Sequence, residues 1–194
     1  MDQERLNDHY KKLASNYEQS FRTKLDNQGS YSFMGEDGAL KIIEMMNITK
    51  NDKLVDLGAG TCITAGNKMI NIHHINIVLT ATGQISRLAG LSQPVLCVEP
   101  VQEMLDVAIK NKVENVETLC ATAEEFVMRD INYDKLLIKG TVHHFPRKNL
   151  GMIFQGIYTQ LTPNGIVLID KVSSNQVASL NYFKQRHSCH NCRG

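Results

Sequence analysis

The residues best suited to chemistry in this sequence form a glycine turn and, further along, a single carboxylate. The run Leu54-Val55-Asp56-Leu57-Gly58-Ala59-Gly60-Thr61-Cys62 is apolar, then acidic, then Gly-x-Gly. A buried parallel strand hands over to a ligand-binding loop in this way. Glycine permits positive φ and lets a ligand lie against the main chain with no Cβ in between. The backbone N–H groups of such a turn favour a negative or electron-rich group. An ordinary tight strand–helix turn would need the same glycines.

Glu99 is the second element. It ends the apolar run Val95-Leu96-Cys97-Val98 and precedes Pro100. A carboxylate at a strand end can accept hydrogen bonds from both ribose hydroxyls of a nucleoside, and it repels a phosphorylated ribose. A third short run, Val116 to Cys120, leads into Ala121-Thr122-Ala123-Glu124-Glu125-Phe126. There the Ala123 N–H can meet the edge of an adenine ring, and the Thr122 hydroxyl can accept one hydrogen bond. His143 and His144 are candidate bases by location, following a fourth apolar run. No catalytic residue is assigned. His187, Cys189, His190 and Cys192 have zinc-ligand residue types, but with no second Cys pair and a position at the chain end they are read as no metal site.

These residues need strands to carry them. Apolar runs at Lys53–Leu57, Val95–Val98, 116–120, Leu136–Ile138 and Ile166–Ile169 read as five buried strands. Helices are expected over 4–25, Glu36–Met46, Gln102–Lys110, Ala123–Met128 and Asn149–Leu161, with apolar residues recurring every three or four positions. Thr162-Pro163-Asn164-Gly165 reads as a turn. Strands alternating with helices predict an α/β fold: a Rossmann-like, mostly parallel sheet with helices on both faces and an N-terminal helical cap. Ligands then bind beyond the carboxyl ends of the strands.

Composition limits the function class. The chain has 194 residues, 42% hydrophobic and 21% charged, with a net charge of +1. One globular domain of ordinary size fits these values. No basic stripe points to nucleic acid, and the most apolar stretch, Ile70 to Ala81, is too short and polar to span a bilayer. The charged N-terminus does not read as a signal peptide, and five cysteines argue against a disulfide framework. A cytoplasmic protein with neither nucleic-acid nor membrane partners is expected. Oligomeric state is not legible.

Together the motifs resemble the class I S-adenosylmethionine-dependent methyltransferases, in particular their small-molecule type. The resemblance runs from about residue 10 to 171. It rests on Val55–Thr61, Val98–Leu105, Ala123–Phe126, Tyr133–Leu136 and Leu161–Gly165. It implies S-adenosylmethionine as cofactor and a small-molecule acceptor. Gly58 and Gly60 would face the methionine part, Glu99 the ribose, Ala123 and Glu124 the adenine, and Lys139 the methyl donor. Asp56, Ala59, Pro100 and Thr122 complete the implied cofactor-binding set. Tyr10 and Tyr17 look like the aromatic pair of the family's cap; two core-facing tyrosines on an amphipathic helix are the plainer alternative. The implied organisation is a cap over 1–35, the cofactor-binding domain over 36–172 and a tail over 173–194.

The sequence departs from the family in three places. Cys62 stands where a third glycine is usual, and its side chain is either tolerated or crowds the ligand. Gly60 and Glu99 are far more widely spaced than the about 20 residues of a simple βαβ unit. Gly66 to Gly83, rich in Ile and Asn, reads as an insertion that splits one helix. After Ile169 there is room for a helix over Asn175–Gln185 and little else, so the last antiparallel strands are expected to be missing and the fifth strand to be an open edge. Two alternatives remain: an inactive or binding-only truncated isoform, and a nicotinamide-dependent oxidoreductase. The second lacks the third glycine of its fingerprint, since Ile63 stands there.

Overall fold

The computed structural model describes residues 3–14, 35–62, 82–110, 113–171 and 179–184. Its elements run α1 (Gln3–Leu13), α2 (Gly35–Met46), β1 (Leu54–Leu57), α3 (Thr82–Ala89), β2 (Val95–Glu99), α4 (Gln102–Lys110), β3 (Val116–Cys120), α5 (Ala123–Val127), β4 (Tyr133–Lys139), α6 (Leu150–Gln160), β5 (Leu161–Lys171) and β6 (Ser179–Lys184). The sheet order is β3-β2-β1-β4-β5-β6. The first five strands are parallel, and β6 pairs with β5 antiparallel. The order reverses between β1 and β4, so the crevice above β1 is where this architecture accepts ligands.

Alternation along each strand divides the core between two faces. Leu54, Cys97, Leu137 and Leu168 meet α2 (Ala39, Ile42, Met46), α3 (Ile85) and α4 (Leu105, Ala108). Val55, Val98, Leu136, Ile138 and Val167 meet α5 (Phe126, Val127) and α6 (Ile153, Ile157). Helices therefore cover both faces, as the pattern predicts. Each of the Val, Leu, Ile, Phe and Met side chains among them, fully buried, contributes about 1.5–3 kcal/mol of transfer free energy before the entropy of ordering is counted.

Several expectations need correction. Of the helix expected over 4–25, the described residues show Gln3–Leu13 with Ala14 following directly; the remainder, Tyr17 included, lies outside the described residues. The 162–165 turn is a bulge inside β5: Tyr133 pairs with Leu161, then Lys135 with Ile166, and Asn164 takes a φ of 66°. The helix expected over Asn175–Gln185 is instead strand β6, with Ile166 opposite Lys184 and Lys171 opposite Ser179. An open apolar edge leaves a row of N–H and C=O groups unpaired, and pairing overrides a weak helical pattern. One antiparallel strand expected to be missing is thus present. Most of 66–83 lies outside the described residues, but Thr82 and Gly83 belong to α3.

Candidate functional site

The turn after β1 is tied to β2. The Gly58 and Ala59 N–H groups both donate to the Val98 carbonyl, at 2.8 and 3.1 Å. Gly58 has a φ of 83° and Gly60 a φ of 60°. A Cβ on Gly58 would lie 2.2 Å from Thr141 Cγ2, so space as well as φ demands glycine there. At Gly60 the demand comes from φ, because a Cβ would meet only Met104 Cε at 3.6 Å.

Glu99 closes the other side. Its Oε2 accepts the Gly60 N–H at 3.0 Å, and its Oε1 accepts the Val101 N–H at 3.2 Å. The two motifs, far apart in sequence, share one hydrogen bond. Glu99 is 8% exposed. Burial pushes its carboxyl up to about 7, against the pull of the two backbone donors, and the Asp56 charge adds to the rise. A carboxylate offers about four lone-pair positions, so each oxygen keeps acceptor capacity beyond its backbone partner.

Side-chain alternation places Asp56, Glu99, Lys139 and Asp170 on one face, each two residues beyond a side chain of the α2–α4 core. They top β1, β2, β4 and β5. Asp56, Glu99 and Asp170 are buried polar residues. Burial lowers the Lys139 ammonium, and Asp56 and Asp170 pull it back up. Burial raises Asp170, and Lys139 opposes that rise. Asp56 and Asp170 act on the Lys139 ammonium, and with Glu99 the strand ends carry three acids to one base, which suits a ligand with positive charge.

The segment expected near an adenine is built differently from its sequence reading. Thr122 caps α5: its Oγ1 accepts the Glu125 N–H at 3.2 Å, and its N–H donates to Glu125 Oε2 at 2.8 Å, a reciprocal capping box. The Thr122 oxygen thus already serves the helix. Glu124 Oε1 accepts from Asn149 Nδ2 at 2.9 Å and so points towards the start of α6. Ala123 opens α5 and is buried, and the Pro100 carbonyl accepts from the Cys120 thiol at 3.6 Å. Cys62, with a φ of 48° and 1% exposure, packs into the α2–α4 core rather than towards the ligand. Its hydrogen bond with Cys97, together with burial, holds the Cys97 thiol well above the usual range.

The cap helix reaches this site. Tyr10 packs against Val101 and Met104. Its hydroxyl lies 2.9 Å from His144 Nε2, with the rings edge to face at 5.5 Å. Burial, then the Glu99 charge, raises the Tyr10 phenol. Burial, then neighbouring His143, lowers His144 to about 4, so its imidazole is neutral at pH 7. The Lys11 ammonium pairs with Glu103 at 2.6 Å. Among the described residues no group of three or more metal-ligating side chains could hold an ion, and the 187–192 cluster lies outside them.

Residues 79–169 match a family model described as a methyltransferase domain. Among solved structures, the DhpI-SAM-HEP complex aligns with a TM-score of 0.60 at 18% identity, over 87% of this chain and 65% of that one. The DhpI-SAH complex aligns with a TM-score of 0.61 at 17% identity, over 92% and 76%. Residues 79–169 are thus similar to a methyltransferase domain, and the chain shares the fold of these two structures. A TehB-like SAM-dependent methyltransferase from Corynebacterium glutamicum shares the fold, with a TM-score of 0.57 and 16% identity over 83% and 73% of the two chains. No curated protein matches the chain in sequence. The family match begins within the stretch expected to be inserted and ends in β5, so the turn at 58–60 lies outside it.

Two features of the site were not singled out in the sequence. Thr141, which fills the space beside Gly58, carried no motif signal. Asp170 did leave one, as a lone acid ending the apolar run Ile166–Ile169.

Proposed function

We propose that the protein binds S-adenosylmethionine across the 58–60 turn and Glu99, and catalyses transfer of its methyl group to a small-molecule acceptor. The observation that carries this reading is the Gly60 N–H to Glu99 Oε2 bond at 3.0 Å above the β1 crevice, in a chain whose residues 79–169 match a methyltransferase domain. The DhpI structures are complexes with SAM and with SAH. The residues fit such a donor. Glu99 retains acceptor capacity for ribose hydroxyls, Gly58 and Gly60 leave the main chain bare, and the acid-rich strand ends favour a cation. In this reading Asp56, Gly58, Ala59 and Gly60 flank the methionine part, and Glu99 and Pro100 the ribose. Thr122, Ala123 and Glu124 border the adenine, and Lys139 lies near the methyl.

When bound, the donor supplies a methyl already activated on a sulfonium. The protein's task is then alignment and exclusion of water. Tyr10, lying over Val101 and Met104, supplies a wall on the acceptor side. His144, neutral at pH 7, can orient an acceptor hydrogen bond without adding charge. No described helix is long and apolar enough to cross a membrane, and a cytoplasmic location is part of the proposal.

Titration with S-adenosylmethionine, followed by transfer of a labelled methyl into a small-molecule extract, tests this. Saturable binding and label in a small-molecule fraction are expected. Binding without transfer would favour the binding-only alternative, and binding of a nicotinamide cofactor in place of the donor would overturn the reading.

A further inference from the structure

We infer that Thr141 is a positioning residue that ties the donor turn to the cap helix. The inference rests on the donor site proposed above. Thr141 follows Gly140, just beyond β4. Its Oγ1 lies 3.1 Å from the Gly58 carbonyl and 3.1 Å from the Lys139 carbonyl. One hydroxyl hydrogen serves both acceptors. Its methyl fills the space that a Cβ on residue 58 would need. Gly58 is therefore held at both of its peptide bonds: its N–H by Val98 and its carbonyl by Thr141.

The other end of Thr141 starts the path to the cap. Its carbonyl accepts the His144 N–H at 2.8 Å, which closes the short helical turn Val142–His144. That turn presents His144 Nε2 to the Tyr10 hydroxyl at 2.9 Å. A continuous set of hydrogen bonds thus joins the Gly58 carbonyl, Thr141, His144 and Tyr10 on α1. Elements joined in this way are candidates for energetic coupling, and only a measured coupling establishes it. The consequence is that the donor turn and the closed cap stabilise each other.

Two substitutions separate hydroxyl from shape. Thr141→Val keeps the branched side chain and removes the donor; Thr141→Ser keeps the donor and removes the methyl. Binding of S-adenosylhomocysteine by calorimetry is expected to weaken roughly three- to tenfold in Thr141→Val, the effect of one hydrogen bond, and to stay within about twofold in Thr141→Ser. Tyr10→Phe combined with Thr141→Val should weaken binding by less than the product of the single effects. Hydrogen exchange of the ligand-free protein gives an independent readout. Thr141→Val should speed exchange in peptides covering 54–62 and 3–14, and leave 150–171 unchanged as evidence of an intact fold. Unaltered binding and exchange in Thr141→Val would overturn the inference, as would equal loss in the Ser and Val variants or strictly multiplicative effects with Tyr10→Phe. Wild-type protein that fails to bind S-adenosylhomocysteine, while Thr141→Val still loosens both segments, would overturn the donor-site reading and leave the tie standing.

Discussion

Glu99 should make donor binding depend on pH. In the free protein its carboxyl sits at about 7, chiefly through burial. Ribose hydroxyls donating to it favour the ionised form and pull the value back towards the ordinary carboxylate range. Binding below pH 7 must then release close to one proton. If the bound value returns to about 4.3, affinity rises by up to about tenfold per pH unit between about pH 5 and 7 and levels off above, a total of roughly fifty- to a hundredfold. Glu99→Gln should abolish this dependence. At pH 8 the variant loses the charge-assisted part of two hydrogen bonds, about 1 kcal/mol each, and binds about ten- to a hundredfold more weakly. At pH 5, where Glu99 of the free wild-type protein is protonated and binding must first ionise it, the two proteins should bind alike. Stability should move the opposite way. A carboxyl raised in the folded state binds its proton more tightly there than in the unfolded chain. Its contribution is present in full below the unfolded value and is lost as pH rises through about 7. That loss amounts to about 3 kcal/mol, and the Gln variant should not show it. Calorimetry in buffers of different ionisation enthalpy counts the released proton, and the variant reads any slope due to the ligand's own groups. Wild-type affinity that is flat from pH 5 to 8, or a variant with the same slope, would refute the reasoning.

Gly156→Ala in α6 should destabilise the protein, although alanine normally improves a helix by 0.5–1 kcal/mol. A Cβ there would lie 2.5 Å from Val127 Cβ, so overpacking of about 1–3 kcal/mol wins, as urea denaturation will show. Tyr133→Phe removes a buried hydroxyl that donates to the Ile157 carbonyl at 3.1 Å. A loss of about 1 kcal/mol in the same assay is expected, and an unchanged midpoint would deny that bond any net value. Maleimide labelling of the native protein, read by peptide mass, should modify exposed Cys120 and spare buried Cys62 and Cys97. Rapid modification of Cys62 would place its side chain towards the crevice instead of the core.

The strands and helices around the site were legible because buried parallel strands are short apolar runs, and their helices keep apolar residues at three- and four-residue spacing. Val95–Glu99, Gln102–Lys110 and Val116–Cys120 fall within a residue of expectation for that reason. Strand β6 was not legible, because what fixes Ser179–Lys184 is the open edge of β5, a partner remote in sequence. Glu99 could be singled out as a strand-end acid, yet its bond to Gly60 depends on how β1 and β2 pair. The contact of Tyr10 with His144 depends on the cap folding back over the sheet, and no local pattern encodes it. Thr122 shows a limit of another kind. Its hydroxyl was read for a ligand, but a threonine three residues before a glutamate at a helix start forms a capping box, which the sequence already contained.

The most direct measurement is a crystal structure with S-adenosylhomocysteine bound. Both ribose hydroxyls should lie within hydrogen-bonding distance of the Glu99 carboxylate, with the ligand against the main chain of Gly58 to Gly60. A ligand seated elsewhere, with Glu99 still held only by Gly60 and Val101, would contradict the account.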